Sequence, residues 1–168
     1  MSIKKKNKCS QKQLRQHLLY CPKTGVWTWL VARPHVKPGQ QAGHICTSGH
    51  RQIMLFGQLY LAHVLAWFYM TGGWPRRDID HADTCPDNNK WKNLRLASRS
   101  LNMANAKKYM NNTSGFKGVH RLKNSGLYQA RIKHNKKDIY LGSYKSAKDA
   151  HTAYCAAAVR LKGAFARL

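Results

Sequence analysis

The stretch DIDHADTCPDNNKWKNLRLASRSLN, residues 78–102, decides how this chain is read. RRDIDH has the alternation of a strand ending in the pair Asp80-His81. A polar loop rich in Asp, Asn and Pro follows, and NLRLAS restores the alternation from Asn93 onward. Ser98 then opens SRSLNMANAKK, a run without Gly or Pro that reads as a capped helix. The outline is strand, loop, strand, helix, and it carries Asp80, His81, Asn93 and Asn102 in that order. An acid beside a histidine stands out in a chain with only six Asp and Glu.

Those residue types suit one reaction. Hydrolysis of a phosphodiester needs a base to activate water and a cation to neutralise the charge that builds on the leaving oxygen. An imidazole with its ordinary pKa of ~6.5 is neutral enough to be that base. Carboxylate and amide oxygens suit a hard divalent ion. Adjacent strand residues point to opposite sides, so Asp80 and His81 can serve one site only if the backbone bends there. Taken singly, each residue has an ordinary structural explanation: a common dipeptide, a turn cap at Asn93, an exposed helix residue at Asn102.

Charge narrows the partner. Thirty Lys and Arg against six Asp and Glu give a formal net charge of +24. Such self-repulsion points to a polyanion, and nucleic acid leads. The cations are spread over the whole chain, which favours a folded surface following a phosphate backbone over a basic arm. A ribosomal or packaging protein would share this balance. The longest apolar run, LYLAHVLAWFYM, is too short to span a bilayer and contains His63, so no membrane partner is expected and the location read is cytoplasmic. Five cysteines without a C-x-x-C pair imply free thiols rather than disulfides or a zinc cage.

Around the central stretch, SQKQLRQHLLY predicts a short helix with Leu14, Leu18 and Leu19 on one face. GVWTWLV and GHRQIMLFGQLY predict strands of a small sheet. Residues 60–70 predict a helix that turns Leu61, Leu65, Phe68 and Trp67 to a core and stops at TGGWP. Trp74 and Trp91 read as core, and Asn88 and Asn89 as loop formers, with Asn89 a candidate for fixing the fold. Residues 106–116 read as a linker. Beyond it, FKGVHRL, LYQARIKHN and KDIYLGSY predict three strands, with Tyr128, Ala130 and Ile132 on one face and Gln129, Arg131 and Lys133 on the other. Ser146 and Asp149 start a final helix whose stripe of Ala147, Ala150, Tyr154, Ala157 and Leu161 can cover the apolar face.

The order D-H, then Asn93 in NLR, then Asn102 resembles the HNH endonuclease family in its variant with Asn as the last motif residue. AHVLAWFYMTGGWPRRDIDH is similar to the lead-in of phage-encoded HNH homing endonucleases. The resemblance implies a ββα-metal core. His81 would be the general base, Asp80 and Asn102 ligands to one divalent ion, Mg2+ or Mn2+, and Asn93 the residue that pins the loop by backbone hydrogen bonds. His63 would be a helix residue near the site. With one carboxylate and one neutral amide, phosphate oxygens and water must complete the ion's shell, so weak binding without DNA is expected.

GV at 118–119, YQARI at 128–132, YLGSYKSAKDA at 140–150 and AYCAAA at 153–158 make the last module similar to the AP2 DNA-binding domain. That family lays its sheet in the major groove. Carried over, His120, Arg131, Lys133 and Tyr140 fall at DNA-contacting positions, with Lys117 and Arg121 nearby. Asn124 lacks that family's tryptophan, and Asp138 replaces a basic contact. The bland reading of these cations is a solvated sheet face.

The expectation is a modular α+β protein: an N-terminal helix and small β segment (1–59), a nuclease core (60–106), a linker (107–115) and an AP2-like domain (116–168). It would cut or nick double-stranded DNA in the manner of a homing endonuclease, as a monomer or weak dimer without a small-molecule cofactor, in the host cytoplasm if phage-encoded. The alternative is a catalytically inert DNA-binding regulator of the same fold.

Overall fold

A computed structural model of the chain describes residues 9–106 and 112–168. The protein is α+β, built from small sheets with helices packed on them. It divides into two compact units, Met1–Leu96 and Ala97–Leu168.

In the first unit, helix α1 (Gln11–His17) starts on a capping box: Ser10 Oγ accepts from Gln13 N (3.2 Å) while Ser10 N donates to Gln13 Oε1 (2.9 Å). The chain passes directly into β1 (Leu18–Tyr20), antiparallel to β2 (Trp27–Trp29). This corrects the expected helical stripe of Leu14, Leu18 and Leu19. A period of two takes over at Leu18, so Leu18 and Tyr20 go inward and Leu19 faces solvent. A second sheet, ordered β3 (His44–Ile45), β4 (Arg51–Leu55), β5 (Gln58–Leu61), turns at Phe56-Gly57. Helix α2 (Ala62–Thr71) follows, burying His63, Leu65 and Phe68 and ending at Gly72. Leu61 proves to be the last residue of β5 and is partly exposed. Strands β6 (Asp78–His81) and β7 (Leu94–Ala97) pair across the polar loop.

One apolar cluster joins these parts. Leu14, Leu18, Trp27, Ile53 and Leu65 pack with Ile79 and Leu94, and Trp74 and Trp91 lie against it. Each large side chain buried this way contributes about 1.5–3 kcal/mol. Residues 9–59 thus form one wall of the core that 60–96 require.

In the second unit, helix α3 (Arg99–Asn105) is capped by Ser98 Oγ, which accepts from Leu101 N (3.3 Å). Strands β8 (Val119–Arg121), β9 (Tyr128–His134) and β10 (Lys137–Tyr144) form an antiparallel sheet of order β10-β9-β8. Helix α4 (Ala147–Lys162) covers one face, placing Ala150, Tyr154, Ala157 and Ala158 against Val119, Ala130 and Ile132. Its start is reciprocal: Ser146 Oγ accepts from Asp149 N (3.1 Å) and donates to Asp149 Oδ2 (2.7 Å). Gly118, at φ +73°, lies under the Tyr154 ring, where an added Cβ would meet Cδ2 at 2.1 Å. Only glycine lets the ring lie that close.

Two lysines tie α3 into this unit. Lys117 Nζ donates to the carbonyls of Ala104 and Ala106, and Lys162 Nζ donates to Ser100 Oγ (3.1 Å). Burial, then the charge of Arg167, lowers the Lys117 pKa to about 8. Residues 107–111, part of the expected linker, lie outside the described residues. All five cysteines are free thiols. Among the described residues no helix is long and apolar enough to cross a membrane.

Candidate functional site

Strand β6 ends with Ile79, Asp80 and His81 all buried. Three buried neighbours in a strand mean that both faces are covered, so Asp80 and His81 are each held by packing. Arg95, on β7, directs Nε and Nη2 at Asp80 Oδ2, each at 2.8 Å. His81 Nε2 donates to Asn89 Oδ1 at 3.4 Å. Asn89 is 1% exposed, and its Nδ2 donates to Asp87 O (3.0 Å), which turns the amide oxygen toward the imidazole. The proton therefore belongs on Nε2 and the lone pair on Nδ1. Burial is the largest influence on His81 and lowers its pKa. The Asn89 hydrogen bond opposes this, His50 adds to the lowering, and Asp83 and Asp80 oppose it. The net result is a neutral imidazole.

The loop between β6 and β7 is pinned from several directions. Asn93 Oδ1 accepts from Asp83 N (3.0 Å), and its Nδ2 donates to Asp83 Oδ1 (2.9 Å) and Asn88 O (2.8 Å). Burial raises the Asp83 pKa, but hydrogen bonds from Cys85 N, Asn88 and Asn93, with the charge of His81, leave it below the ordinary carboxylate value. Thr84 takes φ 62°, an unfavourable left-handed conformation for a β-branched residue, and its N–H donates to His81 O (2.9 Å). From β4, Arg51 makes a two-pronged ion pair with Asp87 (2.9 and 3.0 Å). From the N-terminal hairpin, Tyr20 OH donates to Asn89 O (2.6 Å). Gly25, at φ +78°, touches the loop so closely that a Cβ would lie 2.5 Å from Asn89 C.

Two further histidines gather at His81. The ring centroids of His63 and His81 are 4.9 Å apart and nearly perpendicular, and His50 lies 5.3 Å from His63 and 5.8 Å from His81. Burial, reinforced by the charges of His81 and His50, drives the His63 pKa down to about 3. One ring nitrogen from each of the three lies within 4.8 Å of the others.

Two donor sets are thus present. Asp80 is the one acid among the buried polar side chains of the described residues, and its carboxylate fits a hard divalent ion. The imidazoles do not; they suit borderline transition metals. Asp80, His81 and Asn93 all belong to the first unit: Asn93 pins the loop that follows His81, and Asp80 acts on His81 through its charge. Asn102 is half-buried on α3 of the second unit.

The outer face of the second unit's sheet carries His120, Arg131, Lys133 and Tyr140, all exposed. His120 pairs with Gln129, Arg131 with Tyr140, and Lys133 with Asp138, so these side chains share one side of the pleat. Arg121 is exposed but pairs with Tyr128, on the parity of Val119. Lys117 turns its ammonium to α3.

Sequence reasoning did not find His50 or Arg95, and it gave Asn89 only a structural part. His50 sits outside the motif without a telling spacing, and the strand it precedes is tied to the loop after His81 by the Arg51–Asp87 ion pair. Arg95 was hidden among thirty basic residues.

No curated protein matches the chain. A solved structure described as "DNA binding and cleavage by the HNH homing endonuclease I-HmuI" is similar at 26% identity, with a TM-score of 0.42, over 53% of this chain and 51% of that one. The chain therefore spans about half the length of that protein. Residues 60–104 match the HNH endonuclease family, a span that takes in Asp80, His81, Asn93 and Asn102 and makes this segment similar to those nucleases.

Proposed function

We propose that the protein is a DNA endonuclease of homing type that cuts or nicks double-stranded DNA with one divalent ion, Mg2+ or Mn2+. The observation that carries this reading is the buried His81 imidazole, its Nε2 proton engaged by Asn89, inside the segment that matches the HNH endonuclease family. Its Nδ1 takes the proton of a water whose oxygen bonds to phosphorus as the bond to the leaving oxygen breaks. The ion, held by Asp80 and Asn102, would neutralise charge on the scissile phosphate and the leaving oxygen. Asn93 is a positioning residue that keeps the loop in place. Because Asp80 already shares Arg95, the protein supplies little negative charge, and ion binding without DNA is weak. His120, Arg131, Lys133 and Tyr140 form an AP2-like DNA-reading face; Lys117, whose ammonium is held by the carbonyls of Ala104 and Ala106, and Arg121, on the opposite parity of the strand, stand outside it. The protein works as a monomer or weak dimer, in the cytoplasm of a host cell if phage-encoded.

The test is supercoiled plasmid incubated with magnesium or manganese, wild type beside His81→Ala. Nicked or linear product from the wild type alone supports the reading; equal product from both contradicts it. The Asp80–Arg95 ion pair, which already neutralises the one buried carboxylate, favours a second reading, a binding protein with an inert core. That reading gives plasmid retardation and no cut strand.

A further inference from the structure

We propose that His50, His63 and His81 form a second metal site, for a zinc-class ion, and that filling it switches the nuclease off. The inhibition rests on His81 being the base, as proposed above; the binding does not.

The three residues come from separate elements: His50 immediately before β4, His63 in the first turn of α2, and His81 at the end of β6. Their nearest ring nitrogens already lie within 4.8 Å of one another. On a tetrahedral ion with Zn–N bonds of about 2.0–2.1 Å, ligand nitrogens are about 3.3 Å apart. Closing the difference takes modest side-chain rotations rather than a change of fold.

A second, independent observation points to a ligand. His63 is 6% exposed, and its Nδ1 is buried with no hydrogen-bond partner. An unsatisfied buried nitrogen destabilises the fold, so such a ring is poised for a partner. The other two rings have outer partners of the kind that orient metal-binding histidines. His50 Nδ1 contacts Ser48 Oγ (3.0 Å), which contacts Cys46 Sγ (3.1 Å), and His81 Nε2 donates to Asn89 Oδ1. With Nδ1 of His50 donating to Ser48 and Nε2 of His81 donating to Asn89, the lone pairs of these two rings lie on Nε2 and Nδ1 respectively. The backbone beneath is fixed as well, because Arg51, next to His50, is clamped to Asp87 of the loop.

Three imidazoles without a carboxylate select zinc, cobalt, nickel or copper over magnesium. The two metals therefore do not compete for the same donors. A zinc-class ion on His81 Nδ1 takes up the lone pair that would accept the proton of water.

Cobalt(II) reports on the site without any reference to cleavage. Metal-free protein titrated with cobalt is expected to develop the strong visible absorption of a tetrahedral ion at one equivalent, without thiolate charge-transfer bands, and to lose it when zinc is added. His50→Ala, at a half-buried position, should need at least about tenfold more cobalt. In magnesium-supported plasmid cleavage, zinc should inhibit the wild type, and His50→Ala should need at least about tenfold more zinc for half inhibition relative to its own zinc-free rate. An octahedral or absent cobalt spectrum, thiolate bands showing that cysteines bind instead, or stimulation by zinc overturns the proposal. A tetrahedral spectrum from a protein that cleaves no DNA with either magnesium or manganese would defeat the nuclease reading, and with it the inhibition, while supporting the site.

Discussion

The two units place their polar groups in opposite ways. The first buries His63, Asp80, His81, Asn89 and Asn93 around one loop, whereas the second keeps His120, Arg121, Arg131 and Lys133 exposed on a sheet backed by an alanine-rich helix. Burial changes what a group can do: it holds His81 neutral and fixes its tautomer, but each desolvated group must be hydrogen-bonded or it destabilises the fold. Exposure leaves charge intact and screenable, which suits contact with phosphates. On the proposed function, the contrast sets the His81 base in the first unit and the DNA-reading face in the second. It also explains why the first unit needs so much bracing, from Tyr20, Gly25 and Arg51, for a single loop.

Each half of this contrast can be broken separately. Among changes that leave the His81 base in place, the largest effect is expected at Asn89. Asn89→Ala removes the acceptor that fixes the His81 tautomer and should lower the single-turnover cleavage rate by about 10–100-fold, the usual cost of losing such an orienting partner. Rates are to be compared after unfolding midpoints confirm a folded variant; an unchanged rate would mean that the tautomer is set elsewhere.

A pH effect on stability comes next in size. His63 has a folded pKa of about 3, below the ordinary value of 6.5. Between those values the unfolded chain binds a proton that the folded protein does not, so stability is full above about pH 6.5 and falls as the pH drops toward 3. Urea midpoints of chelator-treated protein should therefore be lower at pH 5 than at pH 7.5. His63→Gln should shrink that difference. Equal midpoints in the wild type would mean a solvated His63 and no buried cluster.

The smallest effect is at Tyr20. Tyr20→Phe removes the donor to Asn89 O and should cost about 1–2 kcal/mol in the same unfolding experiment, for one buried carbonyl left unpaired. No change would remove the N-terminal hairpin from the support of the loop.

Much of this was legible in the sequence. The alternation of YQARIKH separated a buried from an exposed face, and the pleat of β9 obeys it because one helix covers one side. Ser98 and Ser146 announced helix starts because a cap is a local interaction. Asp80, His81 and Asn93 stand out as a group because strand, loop and strand are contiguous in the sequence. What failed was non-local. Leu19 falls on the helical stripe of its run because nothing within that run signals that pairing with β2 begins at Leu18. His50 and Tyr20 reach the site through tertiary packing that residue spacing does not encode, so residues 1–59 gave no hint of their bearing on His81.

The division of labour is tested most directly by measuring DNA affinity and saturating single-turnover cleavage on the same three proteins: wild type, His81→Ala, and the double variant Arg131→Ala with Lys133→Ala. The account predicts that His81→Ala loses cleavage by about 10²-fold or more while binding DNA within about twofold of the wild type. The double variant should bind more weakly, with a salt dependence reduced by about two phosphate contacts, yet cleave at the wild-type rate once saturated. Loss of binding and cleavage together in either variant would contradict it.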